Sequence, residues 1–122
     1  MARVIVMDDE QSMRDMVRQM LTKDGHQVTI ASDGGEGLKT MRGGGFDLAI
    51  IDILMPGKDG IETMIEIKRS YPTTKIIAMS GGRRGIKASF NLDSAVLMGA
   101  DATLPKPFEW PQLRSAVQKL GL

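Results

Sequence analysis

Several carboxylates in this chain stand directly after short apolar runs, where a strand would deliver them to a common edge. Asp8, Asp9 and Glu10 follow Val4-Ile5-Val6-Met7, and Asp52 follows Leu48-Ala49-Ile50-Ile51. Ser80, Gly81 and Gly82 follow Ile76-Ile77-Ala78-Met79, and Lys106-Pro107 comes just after the weaker run Ala102-Thr103-Leu104. Carboxylates crowded together repel and hold protons more tightly unless a cation offsets them. Mg²⁺ suits such a set, because it takes a few carboxylate oxygens and keeps waters or phosphate oxygens as its other ligands. The Ser80 hydroxyl, the glycine amides and the Lys106 ammonium then remain to receive an anionic phosphoryl group. An aspartate can itself attack phosphorus and become an aspartyl phosphate.

Bringing these residues together requires parallel strands. The four runs above, with Val28-Thr29-Ile30 as a further one, are continuous rather than alternating, which predicts strands covered on both faces. Amphipathic segments separate them. Met13, Met16, Val17, Met20 and Leu21 form one helical stripe, with Ser12 and Asp15 spaced as a capping box at its start. Ile61, Met64, Ile65 and Lys68 mark a helix entered at Asp59-Gly60 and stopped at Tyr71-Pro72. Trp110, Leu113, Val117 and Leu120 mark the last one, with Pro111 in its first turn. The glycines between residues 33 and 45 predict a short or loosely held second helix. Ala88, Leu92, Ala95 and Val96 predict a fourth, ending at Gly99. This alternation implies a (βα)5 parallel sheet with helices on both faces, whose functional edge lies beyond the C-terminal ends of the strands.

Composition narrows the class. The 122 residues fit one domain, spanning 1–122, with 42% hydrophobic residues and a net charge of +1. That balance favours neither nucleic acid nor an anionic membrane as a partner. The chain has no cysteine, which excludes disulfides and thiolate metal sites. No segment approaches the length of a membrane span, and a cytoplasmic location is expected. His26, the one histidine, reads as a surface turn residue, and the ten methionines read as core filler. Gly81-Gly82-Arg83-Arg84-Gly85 is not a nucleotide-binding P-loop, because no Gly-Lys-Ser/Thr follows it. It reads as a loop over the site.

Five motifs together resemble a response-regulator receiver domain of the CheY-like, stand-alone single-domain type. They are Val6-Met7-Asp8-Asp9-Glu10, the stretch from Asp52 through Met55-Pro56 to Gly60, Met79-Ser80-Gly81, Gly99-Ala100-Asp101 and Leu104-Pro105-Lys106-Pro107-Phe108. They stand in the family's order and cover the whole chain. The resemblance implies a flavodoxin-like, doubly wound sheet of strand order 2-1-3-4-5. It implies that Asp52 is the phosphoacceptor, and that Asp9 binds Mg²⁺ directly and Asp8 through water. Asp52 and the backbone carbonyl of Leu54 would complete the protein ligands. Ser80, Gly81 and Lys106 would hold the phosphoryl group, with a cis Lys106-Pro107 peptide. A two-component regulator of this kind takes its phosphoryl group from a sensor histidine kinase or a histidine phosphotransfer protein. It signals to a downstream protein target or passes phosphate along a relay, and it catalyses only its own phosphorylation and dephosphorylation.

Two other functions fit less well. A phosphohydrolase with an aspartate nucleophile carries a second Asp two residues on, where Leu54 stands here. A flavin module of the same topology would not place three carboxylates against the FMN phosphate. Within the receiver resemblance the chain departs from the family twice. Thr103 replaces the usual aromatic residue, and the segment from Ser80 to Gly99 is longer by about one helical turn. These departures imply a readout through the glycine-rich segment, with Arg83, Arg84 and Phe90 as candidate switch or partner residues beside Thr103.

Overall fold

The five apolar runs become the five strands of one parallel sheet, and helices cover its central strands. The computed structural model describes residues 1–53, 60–80, 96 and 99–122, with only the backbone of Ser80. In chain order the elements are β1 (Arg3–Met7), α1 (Gln11–Lys23), β2 (Gln27–Ala31), α2 (Gly34–Met41), β3 (Leu48–Asp52), α3 (Gly60–Ser70), β4 (Lys75–Ser80), β5 (Ala102–Pro105) and α4 (Trp110–Lys119). The strand order is β2-β1-β3-β4-β5, as the resemblance implies.

Successive residues of the first four strands feed two separate cores. Ile5, Met7, Ala49, Ile51, Ile76 and Ala78 pack with Met41, Met64 and Ile67 under α2 and α3. Val4, Val6, Leu48, Ile50, Ile77 and Met79 pack with Val17, Leu21, Leu113 and Val117 under α1 and α4. Period-two geometry sends neighbours to opposite faces, so a strand covered on both sides must be apolar throughout. Removing one of these fully buried side chains, as in Ile50→Ala, would cost about 2–5 kcal/mol. Among the described residues no helix is long and apolar enough to cross a membrane.

The helices hold two corrections. α1 begins at Gln11 with Glu10 as its N-cap and no side-chain cap bond, so Ser12 and Asp15 are not a capping box. Asp15 is instead paired with Arg18 at 3.4 Å. The buried face of α3 is Gly60, Thr63, Met64 and Ile67, while Ile65 is 41% exposed. The stripe expected from Ile61, Met64, Ile65 and Lys68 is therefore rotated by one residue. A buried glycine and threonine carry burial that Ile65 advertises, while Ile61 is partly buried and packs against the core with Met64. α2 is short, as expected, yet it is firmly begun. Its N-cap Asp33 accepts the Glu36 amide at 2.8 Å, and the Glu36 carboxylate accepts the Ser32 amide at 3.0 Å.

Of the connection between β4 and β5, Ala88, Leu92 and Ala95 lie outside the described residues. Val96 is helical and exposed. The Gly99 amide reaches back to the Val96 carbonyl at 3.1 Å, and φ of +109° at Gly99 suits a glycine stop. His26 follows the turn after α1, where its Nδ1 accepts the Ala2 amide at 3.0 Å. Met7, Met41, Met64 and Met79 are fully buried core residues.

Candidate functional site

β1 and β3 are adjacent, with Met7 level with Ile51, so Asp8 comes off the sheet beside Asp52. Asp52 is level with Met79 on β4, and Ser80 in turn is level with Pro105 on β5. Lys106 thus follows immediately, and four strands deliver their C-terminal residues to one edge. The Lys106-Pro107 peptide is cis.

The side chains meet there. Lys106 Nζ donates to Asp8 Oδ2 at 2.8 Å and to Asp52 Oδ2 at 3.3 Å. Asp8 is fully buried, Asp52 is 1% exposed and the Lys106 side chain 9%. The other Asp8 oxygen accepts the Glu10 amide at 2.9 Å. Asp9 is half-buried, and carboxylate oxygens of Asp8, Asp9 and Glu10 lie within 4.8 Å of one another.

Burial pushes the Asp8 carboxyl above its ordinary value. The hydrogen bonds from Lys106 and the Glu10 amide oppose this without cancelling it, and the Asp52 charge adds to the rise. Burial alone would lower Lys106. Its hydrogen bond to Asp8, with the charges of Asp52 and Asp8, holds it above the usual lysine value instead. One ammonium therefore serves two buried carboxylates, and a third carboxylate stands beside them. The donors are oxygen atoms only, with no thiolate or imidazole among them. An all-oxygen, carboxylate-rich edge of this kind fits a hard divalent cation such as Mg²⁺.

The structure thus brings together Asp8, Asp9, Asp52 and Lys106, and places the backbone of Ser80 among them. It does not bring Thr103 to this edge. Thr103 lies in β5 and lines an open groove of about 530 Å³ with Ala102, Leu104, Gln112, Ala116 and Lys119. Leu54, Gly81, Arg83, Arg84 and Phe90 lie outside the described residues.

At this edge Arg14 escaped the sequence reading, and Gly60 was read only as a helix entry and part of a motif. Arg14 Nη1 donates to the Asp8 carbonyl at 2.7 Å, tying the first turn of α1 to the end of β1. A cation near a helix N-terminus opposes the helix dipole, and that misfit one turn after three carboxylates was the available signal. Gly60 begins α3 directly against the backbone of Asp52 and Ile53. Its signal was a glycine opening a helix otherwise made of good apolar residues.

Known proteins resemble the chain throughout. The family model described as "Response regulator receiver domain" matches residues 4–118. Transcriptional regulatory protein TcrA of Mycobacterium tuberculosis is 29% identical over 119 residues, covering 98% of this chain and 46% of that protein. The chain spans about half the length of the curated relatives it matches. Among solved structures, chemotaxis protein CheY4 of Vibrio cholerae is 30% identical with a TM-score of 0.88, covering 98% of each chain. Response regulator TrrA of Thermotoga maritima, solved in complex with Mg²⁺-BeF, is 32% identical with a TM-score of 0.84, covering 98% of this chain and 99% of that one.

Proposed function

The chain belongs to the response-regulator receiver domain family, and from that premise we propose that residues 1–122 form one phosphoacceptor domain in which Asp52 takes the phosphoryl group. The observation that carries this reading is the bridge from Lys106 Nζ to both buried carboxylates, Asp8 and Asp52.

Asp8, Asp9 and Asp52 would hold Mg²⁺, with the Leu54 carbonyl as a further ligand. Bound there, the ion would neutralise charge on the transferring phosphoryl oxygens and orient them. The rest falls to the chain's own groups. An Asp52 carboxylate oxygen attacks phosphorus, the phosphorus–nitrogen bond of a phosphohistidine breaks, and the imidazole nitrogen keeps the bonding pair. Lys106 offers its ammonium to a phosphoryl oxygen. Ser80 and the Gly81 amide supply further donors as the fourth strand ends. The donor is a sensor histidine kinase or a histidine phosphotransfer protein, and the phosphorylated domain acts through a downstream protein partner. The likeness to TrrA, with its Mg²⁺-BeF complex, supports the metal assignment.

Asp52→Asn tests the assignment, since the amide keeps the shape and is not a nucleophile. Incubated with Mg²⁺ and a phosphohistidine donor, the unmodified chain is expected to take up acid-labile phosphate and the variant none. Full labelling of the variant with an unchanged circular dichroism spectrum would refute Asp52 as acceptor. Full labelling of the unmodified chain in excess EDTA would refute the metal requirement.

A further inference from the structure

Among the described residues, two buried glycines, Gly37 and Gly60, stand where a side chain has no room, and they meet different obstacles. A Cβ on Gly37 of α2 would run into the Sδ, Cε and Cγ atoms of Met7, the last at 2.9 Å. Those atoms belong to a flexible thioether chain that can change rotamer. A Cβ on Gly60 would run into the Asp52 carbonyl oxygen and the Ile53 Cα, and would lie 2.9 Å from the Asp52 carbonyl carbon. These are backbone atoms of the strand that bears Asp52, and no rotamer relieves the clash.

Neither side can easily retreat. Asp52 is level with Met79 in the sheet, and the Ile53 amide is fixed to the Met79 carbonyl at 3.0 Å. On the other side α3 is seated by Thr63, Met64 and Ile67, all fully buried. An added Cβ must therefore drive the helix and the Asp52 peptide apart by on the order of 1 Å, and at a reacting group such a displacement can cost roughly a hundredfold. Helix propensity alone points the other way, since alanine in a helix is favoured over glycine by about 1 kcal/mol.

We propose that Gly60 is a positioning residue for the phosphoacceptor, letting α3 brace the Asp52 backbone so that the carboxylate is held level with Asp8 and Lys106. This inference rests on the function proposed for Asp52.

Mg²⁺-dependent binding of beryllofluoride, a phosphoryl mimic, provides the test, read by ¹⁹F NMR beside thermal midpoints for Gly60→Ala and Gly37→Ala. The expected result is affinity weakened about tenfold or more in Gly60→Ala, and within about twofold of the unmodified chain in Gly37→Ala. Unchanged affinity in Gly60→Ala, or equal weakening in both variants, would overturn the positioning role while leaving the function intact. No bound signal from the unmodified chain with Mg²⁺ would overturn the proposed function and this inference with it. Should Gly60→Ala not fold, the unmodified chain decides. Loading with Mg²⁺ and beryllofluoride must then shift the Gly60 amide resonance, and an unmoved resonance would overturn the proposal.

Discussion

Carboxylates meet cations in two contrasting parts of this molecule. At the C-terminal edge of the sheet, Asp8 and Asp52 share Lys106, and no side chain of the three is more than 9% exposed. Between α1 and α4, Asp24 meets Arg114 with side chains 20% and 45% exposed. Here the guanidinium takes both carboxylate oxygens, at 2.9 and 3.1 Å, and the Trp110 indole donates to Asp24 as well at 3.2 Å. The hydrogen bond from Arg114 is the chief reason that Asp24 lies below its ordinary value. Asp8 lies above its own because burial outweighs its hydrogen bonds. The exposed pair is saturated with donors, whereas among the described residues the buried Asp8 and Asp52 share one ammonium. Water can screen the first arrangement but not the second, so an added cation matters more at the second.

The largest expected effect comes from removing the shared cation. Lys106→Met leaves two buried carboxylates facing one another, a loss of at most about 3–5 kcal/mol, less to the extent that water reaches the edge. Urea denaturation in EDTA should show that loss, and added Mg²⁺ should recover part of it. A midpoint equal to that of the unmodified chain, with no response to Mg²⁺, would erase the contrast between the clusters.

A smaller effect separates the clusters by pH, because their carboxyls move in opposite directions from 3.8. Asp8 is raised, so the folded chain holds its proton more tightly. Its contribution is full below 3.8 and is lost as pH rises from there through the folded value. Asp24 is lowered, so its contribution is present above 3.8 and is lost as pH falls from there through the folded value. Denaturation midpoints in EDTA should therefore lose a downward slope above 3.8 in Asp8→Asn, and lose an upward slope below 3.8 in Asp24→Asn. Identical pH profiles in the two variants would contradict the assigned directions.

The smallest effect is expected at Arg114. Arg114→Ala should shift the midpoint, followed by Trp110 fluorescence, by less than Lys106→Met does. Salt at about 1 M should abolish the difference, since exposed pairs are screened. A salt-independent loss would mean that packing of Arg114 on the Trp110 ring, 4.7 Å away, matters more than its charge.

The same contrast explains what was legible in the sequence. Strands were readable because a sheet covered on both faces leaves no polar position in its interior runs, and the site was readable because it begins where those runs stop. The rotation of α3 was hidden, since Gly60 and Thr63 look less apolar than Ile65 while lying on the buried face. Glu10 caps α1 without a side-chain bond, so Ser12 and Asp15 offered a better local pattern than the true boundary. The contacts of Arg14 and Gly60 went unread for a common reason. Each acts on backbone atoms at or just past a strand's end, and side-chain types alone do not record backbone contacts.

The bridge between Lys106 and Asp8 joins residues 98 positions apart. Closing so long a span costs chain entropy that local helices never meet, and the return comes only once the intervening strands are in register. A growing chain on the ribosome cannot assemble the edge until residue 106 has been made and has found residue 8. Phosphate-mimic binding should therefore arrive with the slowest folding phase, after helical circular dichroism has largely developed. Competence to carry the signal would then be a late certificate that the whole sheet is in place.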